Sequence, residues 1–196
     1  MAKCGLDSTN LNIKVNSEIE FKKLKFHTPN EQGKSKCHTM HIGKQNSPCR
    51  DMKVHGYPME KVSSDVYLGD IISSNGSNKL NIENRVAKGL GIVSKIMDML
   101  KSVSFGEHYF EIAATYRESM LVSGMLTNCE SWYGLTKTEV EQLEEVDKLL
   151  LRQVLGVASS CPIEALYLEM GILPFSLIIK NRRINFLQYL VKRKDK

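Results

Sequence analysis

Residues 79–100 read KLNIENRVAKGLGIVSKIMDML, and this stretch decides the fold of the chain. Its apolar residues recur every three or four positions, which places them along one side of an α-helix. The pattern predicts an amphipathic helix that packs its apolar side against a core. At about 100° per residue, Arg85, Lys88 and Lys95 fall on the opposite side. The apolar positions are Ile82, Val86, Leu90, Val93, Met97 and Leu100.

The chain after this helix predicts further helices and no strand. Thr136 and Glu139 form a capping-box pattern. In this pattern each of the two side chains accepts a hydrogen bond from the backbone N–H of the other residue. Pro162 suits the first position of a helix because its missing N–H is not needed there. The expected helices span about 106–127, 136–156, 162–171 and 174–194.

The part before residue 79 predicts short strands. Residues 66–72 are rich in β-branched and aromatic residues and run into the turn signal at 73–76, so they predict the clearest strand. A helix is also expected over 11–26, with strands over 37–43 and 54–57. The chain therefore predicts an α+β fold in two parts, a strand region over 1–72 and an all-helical lobe over 73–196.

The composition is that of an ordinary globular protein. Of 196 residues, 42% are hydrophobic and 25% are charged, which argues against a disordered or collagen-like chain. Five cysteines, no apolar signal core and no membrane-length apolar run predict an intracellular protein, in the nucleus or cytoplasm. The net charge of +5 divides into +4 over 1–66, −3 over 67–157 and +4 over 158–196. That layout permits a polyanion at both ends, although a solvated surface has equal weight.

The residues alone predict no catalytic or metal site. Gly33-Lys34-Ser35 resembles the end of a P-loop, but Thr28 stands where that motif needs glycine. A possible zinc set lacks the close Cys–Cys pair that structural zinc sites usually have. The chain has no Gly-x-Ser-x-Gly elbow and no adjacent aspartates. The zinc set would be Cys37, His41, Cys49 and His55.

Two glycines lie inside the first predicted helix. Gly89 and Gly91 each cost about 1 kcal/mol relative to alanine in a helix interior. Such positions allow a backbone to approach closely, either that of another helix or that of a nucleic-acid strand. Helix packing is the more frequent reason, by about two to one.

The order of short motifs along the chain points to a family. The motifs are KKLKF (22–26), KCHTMHIGK (36–44), YLGD (67–70), RVAKG (85–89), NCESWYGLT (128–136), LEEVD (143–147), LLR (150–152), PIEALYLEMG (162–171) and RRIN (182–185). In this order they resemble the C-terminal part of the reverse transcriptase of a non-LTR (LINE-type) retrotransposon. The resemblance covers nearly the whole chain, from about residue 4.

The resemblance implies a right-hand polymerase layout. Residues 1–72 would be the end of a small, incomplete palm, and 73–196 the helical thumb and a C-terminal extension. The family's catalytic Tyr/Phe-x-Asp-Asp lies upstream in the palm and is absent here. The chain is then expected to be a fragment of an RNA-directed DNA polymerase that lacks the upstream palm and fingers. It would bind no cofactor, whereas the full-length enzyme uses Mg²⁺, and would be inactive in synthesis alone.

The resemblance also implies partners: an RNA template and an RNA–DNA hybrid or DNA primer, with no membrane. Tyr67, Leu68 and Gly69, together with the turn that follows them, resemble the palm hairpin that steadies the primer's 3′ end. Lys36 lies where the family often has a lysine near the nucleotide phosphates, and Lys34 is an equal candidate.

On the thumb-like helices the resemblance implies contacts to the nucleic-acid backbone. Arg85, Lys88 and Lys95 would touch the template–primer without reading its sequence. Arg182 and Arg183 would bind phosphate or pair with acidic residues such as Glu144 and Glu145.

Trp132 and Tyr133 stand just before the third predicted helix. They would stack on a base or, about three times more often, form a buried aromatic corner. Other interpretations of the chain stay open: a stand-alone helical nucleic-acid-binding module, a relic without function, or a helical interaction domain.

Overall fold

The computed structural model describes residues 38–42, 53–54, 57–103, 105–106 and 108–193. In this part the chain is α+β, as predicted: short paired strands come first and helices follow. The helix expected over 11–26 lies outside the described residues. No described helix is both long and apolar enough to cross a membrane.

The chain divides into two compact units. The strand unit contains residues 1–68 and 72–76, and the helical unit contains 69–71 and 77–196. The assignment of 1–72 to a palm and of 73–196 to a thumb stays a prediction.

The described strands form three two-stranded pairings. Strand β1 pairs in parallel with β4, so that His38 lies opposite Glu60, and β2 pairs with β3 in antiparallel fashion. The side chains of His38 and Asp65 are 3.1 Å apart, which links the first pairing to the next strand. The strands are β1 His38–Thr39, β2 Lys53–Val54, β3 Tyr57–Pro58, β4 Glu60–Lys61, β5 Ser64–Tyr67 and β6 Asp70–Ser73.

The single strand predicted over 66–72 is wrong. The structure breaks it into the hairpin β5–β6 at Leu68 and Gly69. Both turn residues have positive φ, 49° at Leu68 and 88° at Gly69, as a two-residue type I′ turn requires. Glycine adopts a positive φ easily, whereas leucine rarely does. Of the two turn positions, only Gly69 is therefore a residue type that predicts such a turn from the sequence.

The helical unit follows the predicted order, with one irregular helix. Where one helix is expected over 106–127, a π-helical turn over Arg117–Val122 separates α2 from a short α3. Thr136 and Glu139 form the predicted capping box, and Gly156, at φ 63°, ends that helix. The helices are α1 Lys79–Leu100, α2 Tyr109–Tyr116, α3 Ser123–Met125, α4 Lys137–Leu155, α5 Ile163–Glu169 and α6 Phe175–Arg193, with a 3₁₀ turn at Cys129–Ser131.

The buried side of helix α1 matches the predicted one in part: Ile82, Val93 and Leu100 are buried, and Val86 and Met97 pack partly buried against the core. Leu90, expected inward, is 47% exposed, while Arg85 and Gly89 face inward. Hydropathy does not mark an arginine and a glycine as core residues, so the predicted stripe missed these two positions. The buried stripe is Ile82, Arg85, Gly89, Val93, Ile96 and Leu100, with Asn81 beside it.

The two glycines of α1 differ in their surroundings. A Cβ on Gly89 would come 3.0 Å from Val146 Cγ1 and would clash with the Met125 side chain, so α1 approaches α3 and α4 closely there. The helix-packing explanation is therefore confirmed for Gly89. A Cβ on Gly91 would meet nothing within 4 Å, since this residue faces outward.

A buried ion pair lies in the core of the helical unit. The Nε and Nη2 atoms of Arg117 each donate to a different carboxylate oxygen of Asp147 at 2.7 Å. Tyr167 donates its hydroxyl to the same carboxylate at 3.0 Å, and the Leu173 carbonyl accepts from Arg117 Nη2 at 2.8 Å. This network joins the π-helical turn, α4, α5 and the segment just before α6.

Candidate nucleic-acid interface

Arg85 occupies the interior of the helical unit, and its predicted place on the outer side of α1 is wrong. The residue is 5% exposed. Its Nη2 donates to Asp70 Oδ1 at 2.7 Å, and its Nη1 donates to the Gly124 carbonyl at 2.8 Å. The guanidinium also lies 5.7 Å from the centre of the Trp132 ring. Arg85 therefore ties helices together and offers little surface to a phosphate.

Asp70 is the acceptor around which this interior cluster forms. Trp132 Nε1 and Asn128 Nδ2 each donate to its carboxylate at 3.1 Å, and Asn81 Nδ2 does so at 3.2 Å. Burial works against the charge, but the hydrogen bonds from Arg85, Asn128 and Trp132 hold the pKa of Asp70 below its usual value.

The buried aromatic corner is confirmed for Trp132, which is 4% exposed, and is wrong for Tyr133, which is 92% exposed. The sequence reasoning missed Asp70 as a partner of the corner. No local signal in the sequence marked Asp70 as its partner. The contact itself spans 62 residues and has no local pattern.

Lys88 and Lys95 lie on the outer side of α1, as predicted. Both are exposed, and in the described part of the chain neither ammonium pairs with a carboxylate. They are seven positions apart, which is two helical turns or about 10 Å along the axis. Gly91 lies between them with open space where a side chain would be. We call Lys88, Gly91 and Lys95 the lysine face.

Arg182 and Arg183 make backbone contacts in place of the ion pairs considered from sequence. Arg182 Nη1 donates to the Leu126 carbonyl at 2.7 Å, and Arg183 bonds the carbonyls of Cys129 and Trp132. The carbonyls of Leu126 and Trp132 lie at the C-terminal ends of α3 and of the 3₁₀ turn, where cations are favoured.

The acidic residues suggested as partners for Arg182 and Arg183 have other contacts. Glu144 accepts from the Ser176 backbone N–H at 3.0 Å, and Glu145 pairs with Lys148 at 2.9 Å. The ion-pair alternative for the two arginines is therefore wrong.

An open groove of about 530 Å³ lies beside Arg182. Helix α6 contributes Arg182, Asn185 and Phe186 to its lining. The segment opposite contributes Ser123, Thr127 and Glu130, which follow the π-helical turn. We call this feature the α6 groove. Sequence reasoning selected Arg182 but missed the other lining residues, whose adjacency depends on how α6 packs.

The remaining predicted site residues belong to the strand region or lie outside the description. Tyr67, Leu68 and Gly69 form the tip of the β5–β6 hairpin, and Leu68 is 77% exposed. Lys36 and its alternative Lys34 lie outside the described residues. No group of three or more His, Cys, Asp or Glu side chains in the described part is arranged to hold a metal ion. Of the proposed zinc set, only His41 belongs to that part.

Comparison with known proteins identifies no relative. No protein-family model, curated protein or solved structure matches the chain.

Proposed function

We propose that the chain is the palm-end and thumb part of a non-LTR retrotransposon reverse transcriptase and that it holds the template–primer. The support is the order of nine motifs along the sequence, together with the lysine face. The sequence carries no Tyr/Phe-x-Asp-Asp, so the proposed role is binding and positioning, without nucleotidyl transfer by this chain.

The lysine face is the observation that carries the proposal. Two exposed ammonium groups, neither paired with a carboxylate in the described part, attract phosphates regardless of base sequence. The open space at Gly91 lets a nucleic-acid backbone lie against the helix between them. A contact of this kind positions a duplex and reads no sequence, which is what a thumb does for a template–primer.

The tip of the β5–β6 hairpin gives separate support from the strand region. Tyr67 and Leu68 expose large apolar surfaces, and Leu68 holds a positive φ that is unfavourable for a leucine. Backbone strain of this kind, costing about 1–3 kcal/mol, collects at functional sites. In the proposed polymerase, the tip steadies the primer end.

The test is a salt titration of binding to a labelled RNA–DNA hybrid. The wild type is compared with the Lys88→Ala/Lys95→Ala variant and with a Lys137→Ala/Lys148→Ala control. The control removes the same charge from α4, where both lysines pair with glutamates. Each lost phosphate contact reduces the slope of log K against log salt by about 1, so the test variant should be shallower by about 2.

The control keeps the wild-type slope if the lysine face makes the contacts. Equal slopes for the two double variants would mean that net charge alone drives binding. Absence of wild-type binding at low salt would overturn the proposed function and favour a relic without activity.

A second function, a stand-alone nucleic-acid-binding module, is favoured by one observation. The lysine face, the α6 groove and a continuous apolar core all belong to the helical unit. Sequencing the genomic DNA upstream of Met1 would distinguish the two proposals. An in-frame Tyr/Phe-x-Asp-Asp supports the polymerase, whereas a promoter and clean start at Met1 support the module.

A further inference from the structure

Helix α6 combines positive charge with exposed aromatic rings. Over Phe175–Arg193 it has five basic residues and no acidic residue. From Arg182 onward, basic and aromatic residues follow one another at helical spacing along one side of the helix: Arg182, Phe186, Tyr189 and Arg193. Interleaving of this kind suits a strand of nucleic acid, in which phosphates alternate with flat bases.

The aromatic rings on this side are available to a ligand. Phe186 is 38% exposed and lines the α6 groove. Tyr189 is exposed one turn further along, and Arg193 donates to its hydroxyl at 3.2 Å while lying 5.9 Å from its ring centre. The Tyr189 ring is therefore steadied by a cation that also faces solvent.

The groove offers polar groups suited to the edges of bases. The Asn185 amide supplies both a donor and an acceptor, and the Glu130 carboxylate supplies an acceptor. Neither side chain makes a hydrogen bond in the part of the chain that the structure describes. A carboxylate repels phosphate but accepts from the amino groups of cytosine, so Glu130 suits a base edge better than a backbone.

We propose that the α6 groove binds a single-stranded segment of nucleic acid, with one base stacked on Phe186 and the next on Tyr189. The inference rests on the proposed function and adds an unpaired strand to the duplex held by the lysine face. Bases within a duplex are already stacked and paired, so only an unpaired strand can present its faces and edges here. Positive charge without an acidic residue on α6 favours a polyanion over a protein partner.

The test compares affinities for three short probes: single-stranded RNA, single-stranded DNA of the same sequence, and a blunt RNA–DNA hybrid. The variants are Phe186→Ala and, as a control, Leu187→Ala, an exposed apolar residue next to it that does not line the groove. Loss of one stacking contact should weaken binding of a single strand by about tenfold for Phe186→Ala. Affinity for the blunt hybrid should be unchanged, and Leu187→Ala should bind all probes like the wild type.

The outcomes separate this inference from the proposed function. If Phe186→Ala binds single strands like the wild type while hybrid binding still depends on Lys88 and Lys95, the groove proposal is overturned and the thumb proposal stands. If single strands bind through Phe186 but the hybrid does not bind, the groove stands and the thumb proposal is overturned. Equal losses for Phe186→Ala and Leu187→Ala would overturn the groove proposal, because Leu187 does not line the groove. A preference for RNA or DNA identifies which strand occupies the site.

Discussion

The helical unit contains two arginine–aspartate pairs, one fully buried and one partly buried. The side chains of Arg117 and Asp147 are 1% and 0% exposed, whereas those of Arg85 and Asp70 are 6% and 14% exposed. Arg117 makes a two-bond contact with its carboxylate, and Arg85 makes one bond and spreads its other donors over backbone carbonyls.

The two aspartates respond in opposite ways to their surroundings. Burial raises the pKa of Asp147, even though Arg117 and Tyr167 donate to it. Partial burial also tends to raise the pKa of Asp70, but the hydrogen bonds from Arg85, Asn128 and Trp132 outweigh it, so that the pKa is lowered. A more deeply buried ion pair is therefore not necessarily more stabilising, because the free-energy cost of removing the charges from water grows with burial. The Arg117–Asp147 pair connects elements within the core, whereas the Arg85–Asp70 pair connects elements near the edge of the core.

The largest effect is expected from Arg117→Ala. This change leaves the carboxylate of Asp147 buried without its cation, which costs about 3–5 kcal/mol in proteins. We therefore expect the free energy of unfolding to fall by that amount in urea denaturation. A matched variant, Arg117→Met/Asp147→Leu, removes both charges and should recover most of the loss. A loss below about 1 kcal/mol for Arg117→Ala would contradict the conclusion that the Arg117–Asp147 ion pair connects elements within the core.

A smaller loss is expected from Arg85→Ala. Asp70 lies closer to water than Asp147 and keeps its hydrogen bonds from Asn128 and Trp132. Loss of a charge-assisted hydrogen bond and of packing should cost about 2–3 kcal/mol in the same assay. Lys88→Ala, one turn away on the outer side, should stay within about 0.5 kcal/mol of the wild type. Equal costs for Arg85→Ala and Lys88→Ala would mean that Arg85 faces solvent.

The smallest effect concerns the pH dependence of stability. The folded pKa of Asp70 lies below the unfolded value of about 3.9, so its stabilisation is present above that pH. It is lost as the pH falls through the folded pKa, because Asp70 then takes up a proton. The stability difference between wild type and Asp70→Asn should be constant above about pH 5 and shrink below about pH 4. A difference that does not change with pH would show that the charge of Asp70 contributes nothing.

Features with local signals could be predicted from the sequence. The capping box at Thr136, the glycine stop at Gly156 and the helices after residue 79 depend on neighbours within one or two turns. The interactions that stabilise these features are made by residues close together in the chain, so a local sequence pattern is enough to predict them.

Features that depend on distant partners could not be predicted. Arg85 is 15 residues from Asp70 and 39 from Gly124, and hydropathy alone assigns an arginine to the surface. The hairpin turn at Leu68 was missed because leucine seldom adopts a positive φ. Of the candidate interface, Lys88 and Lys95 were predicted correctly as exposed, while the α6 groove depends on packing that no local pattern encodes.

The contrast between Arg85 and its neighbours on α1 leads to the most direct measurement. Lysine acetylation of the whole chain, read by mass spectrometry with and without a bound RNA–DNA hybrid, reports which ammonium groups the nucleic acid covers. We predict that Lys88 and Lys95 lose reactivity when the hybrid binds, while Lys137 reacts equally in both states. Unchanged reactivity of Lys88 and Lys95 in the presence of bound hybrid would contradict the assignment of the lysine face.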